Sequence, residues 1–238
     1  MQLPKDIKAI LFDVDGTLYD QKPLHRQMLV QLAWWACRHP WRTPRLFRVI
    51  QAFRRAQEAL RAGNEPLRAQ GLYETQLAWA ARSAGVASEV VKRIVEEWMF
   101  ERPLGALRRQ RQSDLPAILE RLRQHGYRLG VYSDYPAEAK LDAMGIGHCF
   151  DVVVCSYDPD VGRFKPDPRG FVHTAECLGS TPDETLYVGD RVEVDAVGAG
   201  AAGMRAVILQ DAPAEAEPGV QFVHTLDQLV ECLDGLAV

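Results

Sequence analysis

Long apolar runs, paired cysteines and low-complexity tracts are all missing from this chain of 238 residues. No stretch approaches the roughly 18 uninterrupted apolar residues of a membrane-spanning helix, so no membrane span is expected. The opening MQLPKDIKAI lacks the basic head, long apolar run and small-residue cleavage site of a secretion signal, and the expected location is the cytoplasm. Cysteine is scarce. Its five copies, Cys37, Cys149, Cys155, Cys177 and Cys232, are odd in number, scattered and without a C-x-x-C pair. That argues against a disulfide framework or structural zinc and for reduced, buried thiols. What remains is ordinary globular composition, 47% hydrophobic and 25% charged, enough chain for one large domain or a domain carrying a smaller one.

The net charge of −4 points to no polyanionic partner, and nucleic acid is not expected. The average conceals a split. Residues 20–112 hold 17 bases, 15 of them Arg, against 8 acids, a net of +9, which leaves −13 for the rest. All five tryptophans (Trp34, Trp35, Trp41, Trp79, Trp98) fall in the basic segment. Two compositions in one chain indicate two modules, a basic one at 20–112 inserted into an acidic one at 1–19 and 113–238.

The acidic module reads as alternating strands and helices. Ala9–Phe12 is a short apolar run that stops at Asp13, Asp15 and Gly16, and similar runs recur at 127–134, 151–155, 185–190 and 205–210. Each is apolar through its length, as in a strand covered on both faces. Helical patterns lie between them, at 114–126 behind Ser113, at 136–145, 168–178 and 193–202. The expected fold class is therefore α/β, a doubly wound, Rossmann-like parallel sheet. The inserted segment shows helical spacing only. Leu24–Cys37, a helix from Thr43 as N-cap to Gly63, Leu72–Ala84 and Val90–Phe100 behind Ser88 predict an all-helical domain.

Three of the predicted strands end in Asp, at Asp13, Asp134 and Asp190, where ligands bind such sheets. Asp13 and Asp15, two apart, point to the same side of the chain. One carboxylate of such a pair can attack phosphorus while the other works as acid and then base, unless the D-x-D-G sequence serves only turn geometry. The Ser133 hydroxyl and the following N–H, of Asp134, form a candidate phosphoryl site; Ser and Asp there are also common turn residues. Lys165, between Phe164 and Pro166, is either a surface charge or an ammonium aimed inward. Asp190 and Asp195 bring the carboxylates at this edge to four, which would repel one another without a cation. Mg²⁺, hard and usually shared between carboxylates, waters and phosphate, suits them, making Asp13, Asp15, Asp190 and Asp195 the candidate metal residues.

Together DVDGTLYD, VYSD, FKPDP and GDRVEVD, in this order on successive βα units, resemble the four motifs of the haloacid dehalogenase superfamily, and more narrowly its phosphatase branch with a helical cap between the first and second motifs. The resemblance implies Asp13 as nucleophile of a phosphoaspartyl intermediate and Asp15 as acid and base, its backbone carbonyl binding Mg²⁺. It implies Ser133 and Lys165 on the phosphoryl group, Asp190 as direct metal ligand, and Asp195 in outer-sphere support or paired with Lys165. Asp15 also favours phosphate esters over carbon–halogen bonds, because the dehalogenase branch typically lacks an acid there. Two features depart from a simple match: Asp134 stands where many relatives have Asn, and Glu193 adds an acid near the metal loop.

The expected activity is Mg²⁺-dependent hydrolysis of a small phosphorylated metabolite. The rivals are a phosphomutase with the same motifs and a non-catalytic binding protein using the basic insert as its interaction surface. The arginines of that insert read as a solvated helix face, with the tryptophans packed between helices, or as contacts for substrate, membrane or nucleic acid. Tyr19, Lys22 and His25 follow the first motif closely enough to face it. Oligomeric state has no signature in the sequence.

Overall fold

A computed structural model describes residues 6–63, 69–211 and 219–234. Six parallel strands form one sheet: β1 (Ala9–Phe12), β2 (Arg128–Ser133), β3 (Val152–Cys155), β4 (Thr185–Gly189), β5 (Arg205–Leu209) and β6 (Val220–Val223), in the order β3-β2-β1-β4-β5-β6. Register is continuous across the centre, where Phe12 lies between Val131 of β2 and Val188 of β4. The order reverses at β1, so the crevice beyond β1 and β4 is the topological switch point, where ligands bind this architecture.

Strands that read as apolar throughout are buried because helices cover both faces. On one face Ile10, Phe12, Val131 and Val188 pack with α6 (Leu115–Gln124), α7 (Glu138–Met144) and α10 (Leu226–Asp234). On the other, Leu11, Tyr132, Tyr187 and Ile208 pack with α8 (Arg169–Cys177) and α9 (Val197–Ala201). The expected doubly wound parallel sheet is present, with one strand more than the pattern named. β6 carries no apolar run; three of its four residues are only partly buried at the sheet edge.

Between β1 and β2 the described chain is helical: α1 (Gln21–Arg38), α2 (Thr43–Arg61), α3 (Leu72–Ala84), α4 (Ser88–Val95) and α5 (Leu104–Gln110), with a π-helical turn at Glu96–Glu101. It leaves and returns at one point, where Tyr19 bridges Arg111 and Asp20 N–H donates to Gln110 O at 3.4 Å. α2, α3 and α4 build their own core from Val49, Phe53, Leu77, Ala80, Val91 and Val95. Leu24 of α1 and Ala106 and Leu107 of α5 instead join the core of the sheet.

Several expected helix starts shift. Thr43 is the first helical residue of α2, its hydroxyl donating to His39 O at 2.9 Å rather than capping. Ser88 likewise lies inside α4, and α6 begins after Asp114. α1 begins three residues earlier than its apolar periodicity shows, because Asp20 accepts from Lys22 N–H and Pro23 is tolerated in a first turn. The expected helix over 193–202 opens with a π-helical turn, Val192–Ala196, which contains Asp195.

Close packing of α8 on the sheet depends on Gly170. A Cβ there would lie 2.0 Å from Cζ of Tyr132, which is fully buried. Helix propensity alone would make Gly170→Ala stabilising by about 1 kcal/mol. Overpacking of this severity costs roughly 1–3 kcal/mol, so the steric term wins. The expected outcome is a net loss of stability, read as a lower urea midpoint with an unchanged slope.

Candidate active site

The loops after β1 and β4, the end of β2 and the segment before α8 bring Asp13, Asp190, Ser133 and Lys165 to one edge of the sheet, with Asp195 following β4. Lys165 is the buried junction. Its Nζ donates to Asp13 Oδ1 at 2.6 Å, to Tyr187 Oη at 2.7 Å and to Asp195 Oδ1 at 2.8 Å, which uses all three ammonium hydrogens. Burial disfavours its charge, but Asp13 and then Asp195 outweigh this and hold the ammonium well above its ordinary pKa. Asp195 Oδ2 in turn accepts from the N–H groups of Asp190 and Arg191, at 3.2 and 3.1 Å.

Asp13 is left with one committed oxygen and one open one; among the described residues nothing donates to Oδ2. Burial pushes its carboxyl up to about 8, with Lys165 opposing the rise and Asp195 and Asp15 adding to it. Asp190 is half-buried and pushed up to about 6 by burial and then by Asp195. Among the described residues its carboxylate has no hydrogen-bond or ion-pair partner. It sits against Gly16, where a Cβ would fall 2.2 Å from Asp190 Oδ2 and the φ of +104° is one that L side chains rarely adopt. The D-x-D-G glycine therefore makes room for the acid of the last motif.

One oxygen from each of Asp13, Asp190 and Asp195 lies within 4.8 Å of the others. The Asp15 side chain is outside this group, because a lysine absent from the sequence expectations holds it. Lys140, buried on α7, donates to both Asp15 oxygens at 2.6 Å, and Tyr19 Oη adds a bond of 2.5 Å. Burial works to raise Asp15, but Lys140 and then Tyr19 outweigh it and hold the carboxyl below its ordinary range. Of the three residues expected to face the site, Tyr19 does so, whereas Lys22 and His25 are exposed. Glu193 is likewise a solvent-facing side chain.

Asp134 is placed differently from a phosphate ligand. Its carboxylate accepts from Arg61 Nη2 at 2.6 Å and Gln57 Nε2 at 3.0 Å, both on α2. It also takes Lys165 N–H at 3.0 Å and Ser156 Oγ at 3.2 Å. Its carboxylate is thus satisfied by protein groups, among them two of the helical insert. Arg61 Nε also donates to Lys165 O at 2.7 Å, so one side chain of the helical insert grips two sheet-edge motifs. Beside it Tyr135 donates to Gln57 at 2.7 Å and Tyr157 to Gln76 at 2.7 Å, forming a polar and aromatic wall.

A family model for haloacid dehalogenase-like hydrolases matches residues 7–203, spanning every one of these groups. The chain belongs to that family. This haloacid dehalogenase-like hydrolase is 31% identical over 213 residues to a glyceraldehyde 3-phosphate phosphatase of Methanopyrus kandleri, covering 83% of this chain and 82% of that one. It is 30% identical over 225 residues to a phosphoserine phosphatase of Thermus thermophilus, covering 84% and 88%. A solved 2-haloacid dehalogenase from Pseudomonas syringae pv. Tomato DC3000 superposes with a TM-score of 0.67 at 26% identity, over 96% of this chain and 99% of that one. The family and its phosphatase relatives make the protein a phosphoric monoester hydrolase.

Lys140 yields a prediction with a defined pH dependence. Lys140→Met removes the cation that depresses Asp15 and should destabilise the protein at neutral pH by less than the ~3–5 kcal/mol of fully buried pairs, because the Asp15 side chain is 30% exposed. A depressed carboxyl contributes stability above its unfolded pKa of about 3.9 and loses it as pH falls through the folded value. The difference between wild type and variant should therefore shrink in acid, which chemical denaturation at a series of pH values measures.

Proposed function

We propose that the enzyme is a Mg²⁺-dependent phosphatase that transfers the phosphoryl group of a small phosphorylated metabolite to Asp13 and then to water. The observation that carries this reading is the buried Asp13, with one oxygen held by Lys165 and the other open. Asp13, Asp15, Asp190 and Asp195 set four carboxylates against the two ammonium groups of Lys165 and Lys140, an excess of two negative charges once all four are ionised. An all-oxygen cluster with that excess, including an unpartnered Asp190, fits a hard divalent cation. Asp13, Asp190 and the Asp15 backbone carbonyl would hold Mg²⁺, with Asp195 behind them on Lys165; the ion's contribution there is to neutralise phosphoryl oxygens.

In the first step Asp13 Oδ2 bonds to phosphorus, the ester P–O bond breaks, and the leaving oxygen takes a proton from Asp15. In the second, Asp15 takes a proton from water, whose oxygen bonds to phosphorus as the Asp13 O–P bond breaks. The Lys140 pairing keeps Asp15 ionised, the state the second step needs. The first step needs the protonated form, which the like charge of a phosphoryl group bound beside Asp15 would favour. Ser133 Oγ and the Asp134 N–H are assigned to phosphoryl oxygens, and Lys165 to the charge of the nucleophile. The helices of residues 20–112 act as the cap, with Gln57 and Arg61 hydrogen-bonded to Asp134 of the second motif. The two phosphatase relatives are named for small phosphorylated molecules, which supports a substrate of that class.

Turnover of an aryl phosphate with Mg²⁺ should be abolished by chelation and reduced at least about a thousandfold in Asp13→Asn; absence of turnover on any phosphate monoester would overturn the reading. Mg²⁺ must also displace protons from carboxyls raised to about 8 and about 6. The gain in melting temperature from saturating Mg²⁺ should therefore grow as pH rises through that interval.

A further inference from the structure

The outer face of α1 and the corner that follows it have no role in the reaction. Five of the six large apolar side chains that are exposed among the described residues lie here: Leu29 (63% exposed), Val30 (70%), Trp34 (61%), Trp41 (95%) and Phe47 (45%). On α1 the pattern is a stripe. Residues 26, 29, 30, 33, 34, 37 and 38 follow one another at helical spacing and all are exposed. The opposite side of the same helix is also apolar, with Leu24 and Met28 packed on the sheet's core and Trp35 against Trp98. Large apolar side chains thus lie on two sides of α1, and only one of those sides is covered.

Charge accompanies the apolar stripe. From Gln21 to Gln57 there is no acidic residue in 37, against one Lys and seven Arg, in a protein whose net charge is −4. Arg26, Arg38, Arg42, Arg45 and Arg48 are exposed, and Arg38 Cζ lies 3.2 Å from the centre of the Trp34 ring. Exposed tryptophan and aliphatic side chains bordered by arginine suit the headgroup region of an anionic bilayer, where the rings and apolar chains leave water and the guanidinium groups stay with phosphates.

We propose that this face docks the enzyme peripherally on an anionic lipid surface, with the acidic remainder of the molecule turned away from it. The binding is interfacial, since no helix among the described residues is long and apolar enough to cross a membrane. A second copy of the chain fits less well: a symmetric contact would set this acid-free basic face against itself. Nucleic acid would satisfy the arginines and leave Leu29 and Val30 without apolar partners.

The test is co-sedimentation of the full chain with vesicles of phosphatidylcholine alone or with one-third phosphatidylglycerol, read alongside tryptophan emission. Binding to the anionic vesicles only, weakened by salt and accompanied by a blue shift, is expected. Each Lys or Arg near such a surface is worth roughly fivefold in affinity, so Arg42→Glu with Arg45→Glu should weaken binding by about twenty-five-fold or more. Trp34→Ser with Trp41→Ser should weaken it at least about tenfold, given the apolar area that two indoles carry. Both double variants should keep the wild-type melting temperature and wild-type turnover of a soluble aryl phosphate, which separates this proposal from the catalytic one. The proposal is overturned by no binding to anionic vesicles at low salt, by equal binding of the variants, by tighter salt-dependent binding to duplex DNA, or by a concentration-dependent dimer that the tryptophan variant abolishes.

Discussion

Two carboxylates, Asp13 after β1 and Asp195 after β4, share one buried ammonium, that of Lys165. Each element of the site is constrained by that sharing. The lysine has no hydrogen left over once Tyr187 is included, so it fixes one Asp13 oxygen and leaves the other to face the crevice. Asp195 is held from behind by two backbone N–H groups after β4, which ties the position of Asp190 to the same cluster. A buried ion pair of this kind is poor evidence for net stability, since desolvation offsets much of its attraction. Its evident effect is on geometry and on charge, because it brings acids together at the switch point of the sheet with fewer cations than carboxylates.

The helical insert is coupled to that cluster through Asp134. Its carboxylate, placed one residue after Ser133, is satisfied by Arg61 and Gln57 of α2 and by the N–H of Lys165. Asp134 is thus a clasp between the insert and the second and third motifs. Any movement of α2 away from the sheet edge would break charged hydrogen bonds to Asp134 and Lys165, so the position of α2 and the arrangement of the motif loops are energetically linked.

Much of the fold was legible because its strands are continuous apolar runs ending in acids, a pattern that burial on both faces requires. β6 escaped notice for the converse reason: its partly buried residues at the sheet edge have no need to be apolar throughout. Asp13, Lys165, Asp190 and Asp195 could be singled out from strand ends and motif order. Lys140 could not. It is one of three helical lysines, with Lys22 and Lys92, and only the placement of α7 against the loop after β1 converts it from a surface charge into the partner of Asp15. Arg61 was invisible for the same reason, being one arginine in a helix full of them. Tyr19 lay close enough in sequence to be suspected, while its neighbours Lys22 and His25 point to solvent.

The division of charge, −13 over residues 1–19 and 113–238 and +9 in a tryptophan-rich insert, is a property of the sequence and holds whatever the fold. So are the order of the motifs and the alternation of strand and helix, which local patterning dictates. Which acids remain unpaired, which lysines are spent on them and which side of α1 faces water were decided by tertiary structure. Those properties depend on distances of a few ångströms between residues that can lie more than a hundred positions apart, as Asp15 and Lys140 do. Hydrogen bonding and desolvation act over such distances, and hydrophobic periodicity along the chain carries no record of them.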